Sequence, residues 1–420
     1  MKKILMVGFG LEPGGFTRVV HEIAAELCRH YEVHHLATNL FSQREHDKPW
    51  QIYPNDLEGD PFGVEKLRRL VAQIQPDICW ILNDFWFLSR YYEVLAENRD
   101  RMKSVAYMPL DGKITNPDFV GALQFFDTVV TYNDFARLEL ERVFASVGEA
   151  DADFVEPSIE MIPHGIDSET FFPLIERGNP QALGTLRKKL YGADFPHPEG
   201  FIVLNANANV DRKCLATTLE GFRLFCQGKP RDVLLHLHTK CGPESIHNGG
   251  IDLLERIERL GLEDRVLVTS QRMSNWELNL LYNCCQVGLN TSWGEGWGLI
   301  SFEQAATGAA QVVPDHTACT ELWRGRAYLL PVARRESHRI HVLERSFVHP
   351  ESVAEALEMF YADRDLLQRT AEQGQRWVAQ HRFSWSDIGR RWSALFESLS
   401  PEHPCGHRKR QAGVQPWTGA

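Results

Sequence analysis

Short apolar runs alternate with helix-period segments along most of the chain, and the series restarts once. "KILMVGF", "YEVHHLAT", "DICWIL", "KSVAYMP", "DTVVTYN" and "IEMIP" read as buried strands. Between some of them lie helical patterns: "GFTRVVHEIAAELCRH", "GVEKLRRLVAQIQ" and "DFARLELERVFASV". This alternation is the sequence form of a parallel sheet covered by helices on both faces, because a helical crossover brings the chain back to start the next strand in the same direction. Residues 173–200, with four prolines, break the rhythm. A second series then runs through "FIVLNANA", "CLATTLEGFRLFCQ", "DVLLHLHT", "IDLLERIERLG", "RVLVTS", "NWELNLLYNCC", "QVGLNTS" and "QVVP". At 420 residues the chain exceeds what one core supports. The expected fold class is therefore α/β, with two doubly wound Rossmann-like domains facing a cleft. The expected boundaries are 1–172, a linker at 173–200, a second domain at 201–384, a helix at 385–400 and a disordered tail at 401–420.

Ligands of open parallel sheets bind beyond the carboxyl ends of the strands. Three loops therefore matter: those after the first strand of each half, and the one at 292–299. In "GFGLEPGGFTR" a dinucleotide fingerprint would need glycine where Pro13 stands, so a nicotinamide cofactor is not supported. Gly14 and Gly15, just before a helix, either admit close approach of an anion to free amides or serve a turn needing positive φ. In "NANANVDRKCLATTLEGF", Arg212 and Lys213 sit at a helix entry, where cations oppose the helix dipole. An anionic ligand would relieve that conflict; a solvated Arg-Lys pair is the alternative.

"TSWGEGWGLISFEQ" places Glu295 among Gly294, Gly296 and Gly298, and Glu303 inside a helical run, with seven residues between the two glutamates. A carboxylate accepts paired hydrogen bonds from adjacent hydroxyls, as sugars and riboses offer them. The helix dipole alone accounts for Glu303, but not for a glutamate framed by "GEGWG".

The balance of 45 Lys and Arg against 56 Asp and Glu, −11 overall, argues against a nucleic-acid partner held by a general basic field. No run of about 18 apolar residues suggests a transmembrane helix, and the N-terminus lacks a signal-peptide pattern. The nine scattered cysteines suit reduced thiols in a cytoplasm. "HRKR" at 407–410 is too short a basic patch to argue for lipid binding, though peripheral membrane contact stays open.

"EGWGLISFE" resembles the E-x7-E motif of retaining glycosyltransferases with the GT-B fold, family 4 in particular. "GGFTRVVHEIAAEL" is similar to the family's glycine-rich loop and helix, "IPHGID" to its run before the interdomain linker, and "NWELNLLYNCCQVGLNTS" to the segment leading into the motif. The likeness spans about residues 1–400. It implies that Glu295 contacts the donor sugar, that amides from Gly296 through Trp297 and Gly298 to Leu299 line the sugar and phosphate, and that Glu303 holds the ribose. Lys213 and Arg212 would hold the diphosphate, Asn209 would line the donor, and Gly14 and Gly15 would approach from the first domain. The helix at 385–400 would cross back to the N-terminal domain. The family's frequent Arg is Ala208 here, so Arg212 would supply that charge. Where many members carry a pocket His, the loop reads "MPLDGKITNP", with Asp111 as the polar candidate or else a turn cap. His164 is expected to be structural, and the aromatic run "NDFWFLSRYY" to be core.

The implied reaction is metal-independent transfer of a hexosyl group, with retention, from a UDP- or GDP-sugar to a sugar, lipid or small-molecule acceptor. Glu295, Asp111, Lys213 and Arg212 are the expected catalytic set, with no cofactor beyond the nucleotide-sugar. The rivals are a nucleotide-sugar epimerase or sugar phosphorylase on the same frame, and a non-catalytic nucleotide-sugar-binding homologue.

Overall fold

The structure is a computed structural model, and it describes residues 1–10, 14–42, 45–176, 178–337 and 342–399. The expected tail at 401–420 lies outside the described residues. The chain forms two compact units. The first holds Met1–Leu110, Ile114–Gly165 and the C-terminal stretch from Trp385; the second holds Ile166–Ser384 together with Asp111–Lys113.

The first unit is one parallel sheet of seven strands: β1 (Lys3–Gly8), β2 (Glu32–Ala37), β3 (Gln51–Pro54), β4 (Ile78–Leu82), β5 (Lys103–Tyr107), β6 (Thr128–Thr131) and β7 (Ser158–Met161). Their spatial order is β3-β2-β1-β4-β5-β6-β7. The order reverses between β1 and β4, the switch point at which doubly wound sheets open to ligands. β4 is buried along its whole length, as a strand covered on both faces must be. The helix Gly15–Leu27 turns Val19, Val20, Ile23, Ala24 and Leu27 inward, the period-3.6 stripe expected of its sequence. The helix Trp385–Ser398 belongs to this unit. Gly389 lets it approach Glu26, since a Cβ there would lie 2.4 Å from the glutamate's own. Trp392 meets the rings of Trp80 and Tyr107. His164 is fully enclosed, with Nδ1 2.8 Å from the Tyr107 hydroxyl. In the run "NDFWFLSRYY", Phe85, Leu88 and Tyr91 are core, while Trp86 and Phe87 are only half-buried.

The second unit repeats the plan with β8 (Phe201–Asn205), β9 (Val233–His238), β10 (Val266–Thr269), β11 (Val287–Leu289), β12 (Ala310–Pro314) and β13 (Tyr328–Leu330). Their order is β10-β9-β8-β11-β12-β13, again all parallel. The switch point falls between β8 and β11, so the loops after these two strands emerge side by side. Within 173–200 the chain forms the helix Pro180–Tyr191. Its buried Arg187 donates to the carbonyls of Cys284, Pro198 and Gly200 and to the Gln286 side chain. An antiparallel pair, β14 (Val332–Glu336) and β15 (Arg345–Val348), stands apart from the main sheet. No helix among the described residues is long and apolar enough to cross a membrane.

The helix Leu215–Cys226, which follows the Arg-Lys pair, packs on the helix Pro350–Ala362 through Gly221. A Cβ at 221 would lie 2.5 Å from the Val353 Cβ and 2.9 Å from the Pro350 carbonyl oxygen. Gly221→Ala is expected to cost about 1–3 kcal/mol through overpacking, measured as a lower urea midpoint for the second unit.

Candidate active site

β8 ends in a polar loop that closes as a single 3-10 turn, Asp211–Lys213. Cys214 then takes a left-handed backbone (φ +48°) and caps the helix Leu215–Cys226. β11 runs into the glycine-rich loop, and Gly298 (φ +93°) caps the helix Leu299–Ala306. Here the left-handed backbone requires glycine. A relay of side chains ties the two loops together. The Asn205 amide donates to Thr218, whose hydroxyl lies 2.7 Å from that of Thr291, and Thr291 donates to the carbonyls of Lys213 and Cys214.

On this base Lys213 and Glu295 meet at 2.6 Å, both almost wholly buried. Arg212 reaches the same oxygen, Oε2, from 3.2 Å and also donates to the Gly294 carbonyl at 2.7 Å. Its Nε lies 3.2 Å from Asp111 Oδ2. Gly294 is obligatory here, because a Cβ would fall 2.1 Å from the Asp111 carbonyl oxygen. Asp111, Arg212, Lys213 and Glu295 therefore form one charged cluster.

The cluster is electrostatically uneven. Burial works to raise the Glu295 carboxyl, but Lys213 and Arg212 together hold it at about 2. The Lys213 ammonium is pushed below the usual lysine range, first by burial and then by Arg212, which Glu295 only partly offsets. The Lys213 and Arg212 cations share one Glu295 oxygen and repel each other, with Asp111 balancing Arg212 from its other side. An entering anion would relieve that repulsion.

Thr317 holds Glu295 from the other side. Its hydroxyl donates to the Glu295 carbonyl at 2.9 Å and lies 3.3 Å from the Glu295 amide, while Ala318 N–H reaches the same carbonyl. Thr317 itself sits at φ +49°, which is costly for a β-branched residue. His316 donates from Nε2 to the Ser292 carbonyl at 2.8 Å, and burial lowers it to about 4, so it stays neutral at neutral pH.

The remaining sequence candidates divide. Glu303 is buried, and Tyr282 donates to its Oε2 at 3.1 Å. The Trp297 ring stacks on Phe302 at 4.8 Å inside the core, so what this residue offers a ligand is its backbone. Gly296 and Leu299 flank it in the same loop and helix start. Asn209 donates to the carbonyls of Lys240 and Ile251 and accepts from the Ile251 amide, so its side chain is committed to holding that loop. Gly14 and Gly15 belong to the first unit. Gly14 has an extended backbone (φ −174°) and nothing within 4 Å of a would-be Cβ. A turn needing positive φ therefore does not explain glycine at this position. Tyr282, Trp293, His316 and Thr317 went unread in the sequence. Only Trp293 carries a signal there, as an aromatic residue beside the glycine loop.

No protein-family model matches the chain, and no curated protein matches it. Solved structures do. Anabaena Alr3699/HepE, determined in complex with UDP-glucose, aligns with a TM-score of 0.70 at 17% identity, over 95% of this chain and 100% of that one. Sucrose-phosphate synthase from Thermosynechococcus elongatus aligns at 0.69 and 16% identity, over 95% and 99%. The α,α-trehalose 6-phosphate synthase of Burkholderia multivorans aligns at 0.67 and 13%, over 95% and 99%. With the two parallel sheets, these likenesses establish the fold. The chain has the GT-B fold, built of two Rossmann-like α/β units.

Proposed function

We propose that the chain is a retaining glycosyltransferase of the family 4 type, moving a hexosyl group from a UDP- or GDP-sugar to a hydroxyl acceptor without an essential metal. The observation that carries this is the Arg212–Lys213–Glu295 cluster at the switch point of the second unit, where a glycine-rich loop enters a helix. UDP-glucose binding by the HepE neighbour supports a nucleotide-sugar donor here.

The residues divide the work. Lys213 and Arg212 neutralise the diphosphate as it departs, by preorganised charge in a dry setting. Loop amides at 296–299 and the helix start add partial positive charge. Glu295 keeps both cations in place and accepts from sugar hydroxyls, while Glu303, braced by Tyr282, accepts from the ribose diol. With Glu295 paired to both cations, the course proposed is front-face attack, in which the leaving phosphate takes the acceptor proton. Asp111 sets the Arg212 guanidinium.

The test is proton NMR of product formed from UDP- or GDP-hexose with a panel of sugar, lipid and small-molecule acceptors, in EDTA. We expect an α-linked product from an α-configured donor, at a rate that added magnesium leaves unchanged. An inverted product, or turnover only with magnesium, would refute this assignment.

A further inference from the structure

Trp293 lies two residues before Glu295, and all its polar groups are engaged. Its N–H donates to the Arg212 carbonyl at 2.9 Å, and its own carbonyl accepts from Ser346 N–H at 3.0 Å. Its indole N–H donates to Asp211 Oδ2 at 3.3 Å. Arg345 Nη1 pairs with the same oxygen at 3.4 Å, and the Arg345 guanidinium lies 4.8 Å over the indole ring. Ser346 and Arg345 both come from β15, a strand the parallel sheet does not use. Asp211 and Arg212 are the two residues immediately before Lys213, within the same 3-10 turn.

A 3-10 turn of three residues has little internal hydrogen bonding to fix it. This one is gripped from outside at both residues that precede the lysine. The indole is a rigid plate, and a guanidinium over its face is attracted by the ring quadrupole. Removing Arg345 takes away the cation over the plate and one of the two groups that hold the Asp211 carboxylate, while touching neither Lys213 nor Glu295.

We infer that Trp293 and Arg345 are positioning residues for the diphosphate half of the donor site: the β14–β15 pair, through them, fixes the turn that aims Arg212 and Lys213. This rests on the donor assignment proposed above. The effect is selective for the outer phosphate, because the turn aims the cations that neutralise the leaving diphosphate and leaves the rest of the nucleotide alone.

Isothermal titration of the full chain with UDP, GDP, UMP and GMP tests it, using Arg345→Ala and Arg345→Lys. For the diphosphate that binds, Arg345→Ala is expected to weaken affinity about tenfold, the loss of one well-formed charge contact, while the matching monophosphate changes little. Arg345→Lys, which keeps a cation over the ring, is expected to restore most of the loss. Equal loss for di- and monophosphate, or no loss for either, would overturn the positioning role while leaving the donor site standing. A wild-type protein that binds neither diphosphate would overturn the donor assignment and the inference with it.

Discussion

Lys213→Ala is expected to lower kcat/KM for the nucleotide-sugar by about 10²–10³-fold, the range for removing one preorganised group that stabilises developing charge, or about 2.7–4 kcal/mol. Lys213 is nearly buried and 2.6 Å from Glu295, so the substitution also strands a carboxylate. Breaking a buried pair from one side costs about 3–5 kcal/mol. Arg212 still stands 3.2 Å from the same oxygen, so a cost of about 3 kcal/mol or less is expected. The two effects separate in a double variant. Lys213→Met with Glu295→Gln removes both charges, and should regain most of the stability in urea unfolding while activity stays lost. Recovery of activity along with stability would mean that the pair is only a structural bridge.

The second large effect is acid sensitivity of the second unit. Glu295 titrates at about 2 in the fold against 4.5 ordinarily. Its carboxyl is thus depressed, and its contribution to stability is fully present above about pH 4.5 and lost as pH falls toward 2. The linked free energy is about 3 kcal/mol at one pKa unit per 1.36 kcal/mol. Urea midpoints measured between pH 5 and pH 2 should fall steeply for the wild type. In Glu295→Gln the curve starts lower and this component of the slope is missing. Parallel pH curves for the two proteins would show that the carboxylate does not carry this charge state.

Much of this was legible in the sequence, for identifiable reasons. Strands such as "ICWIL" and "FIVLN" are buried on both faces, so they announce themselves as unbroken apolar runs. β3 is four residues ending in proline and β13 only three, too short for any period to show. β14 is "VARRE", whose charged residues suit an exposed pair and read as loop. At the site, Arg212, Lys213 and Glu295 were visible because charge in a glycine-rich or helix-entry setting needs a reason. Asn209, expected to line the donor, has its side-chain amide on the backbone at 240 and 251. Thr317 could not be found from the sequence, since its left-handed backbone is imposed by contacts with Glu295 across 22 positions.

The most direct measurement is thermal unfolding of the wild type, Lys213→Ala and Glu303→Ala against UDP, GDP, ADP and their hexose conjugates, with and without magnesium. A ligand at about 100 times its dissociation constant adds about 2.7 kcal/mol to the folded state. The expected result is a rise in the unfolding temperature of the wild type with UDP- or GDP-ligands, independent of magnesium and abolished in both variants. No shift in the wild type at millimolar nucleotide, or an equal shift in all three proteins, would contradict a donor site built on Lys213, Glu295 and Glu303.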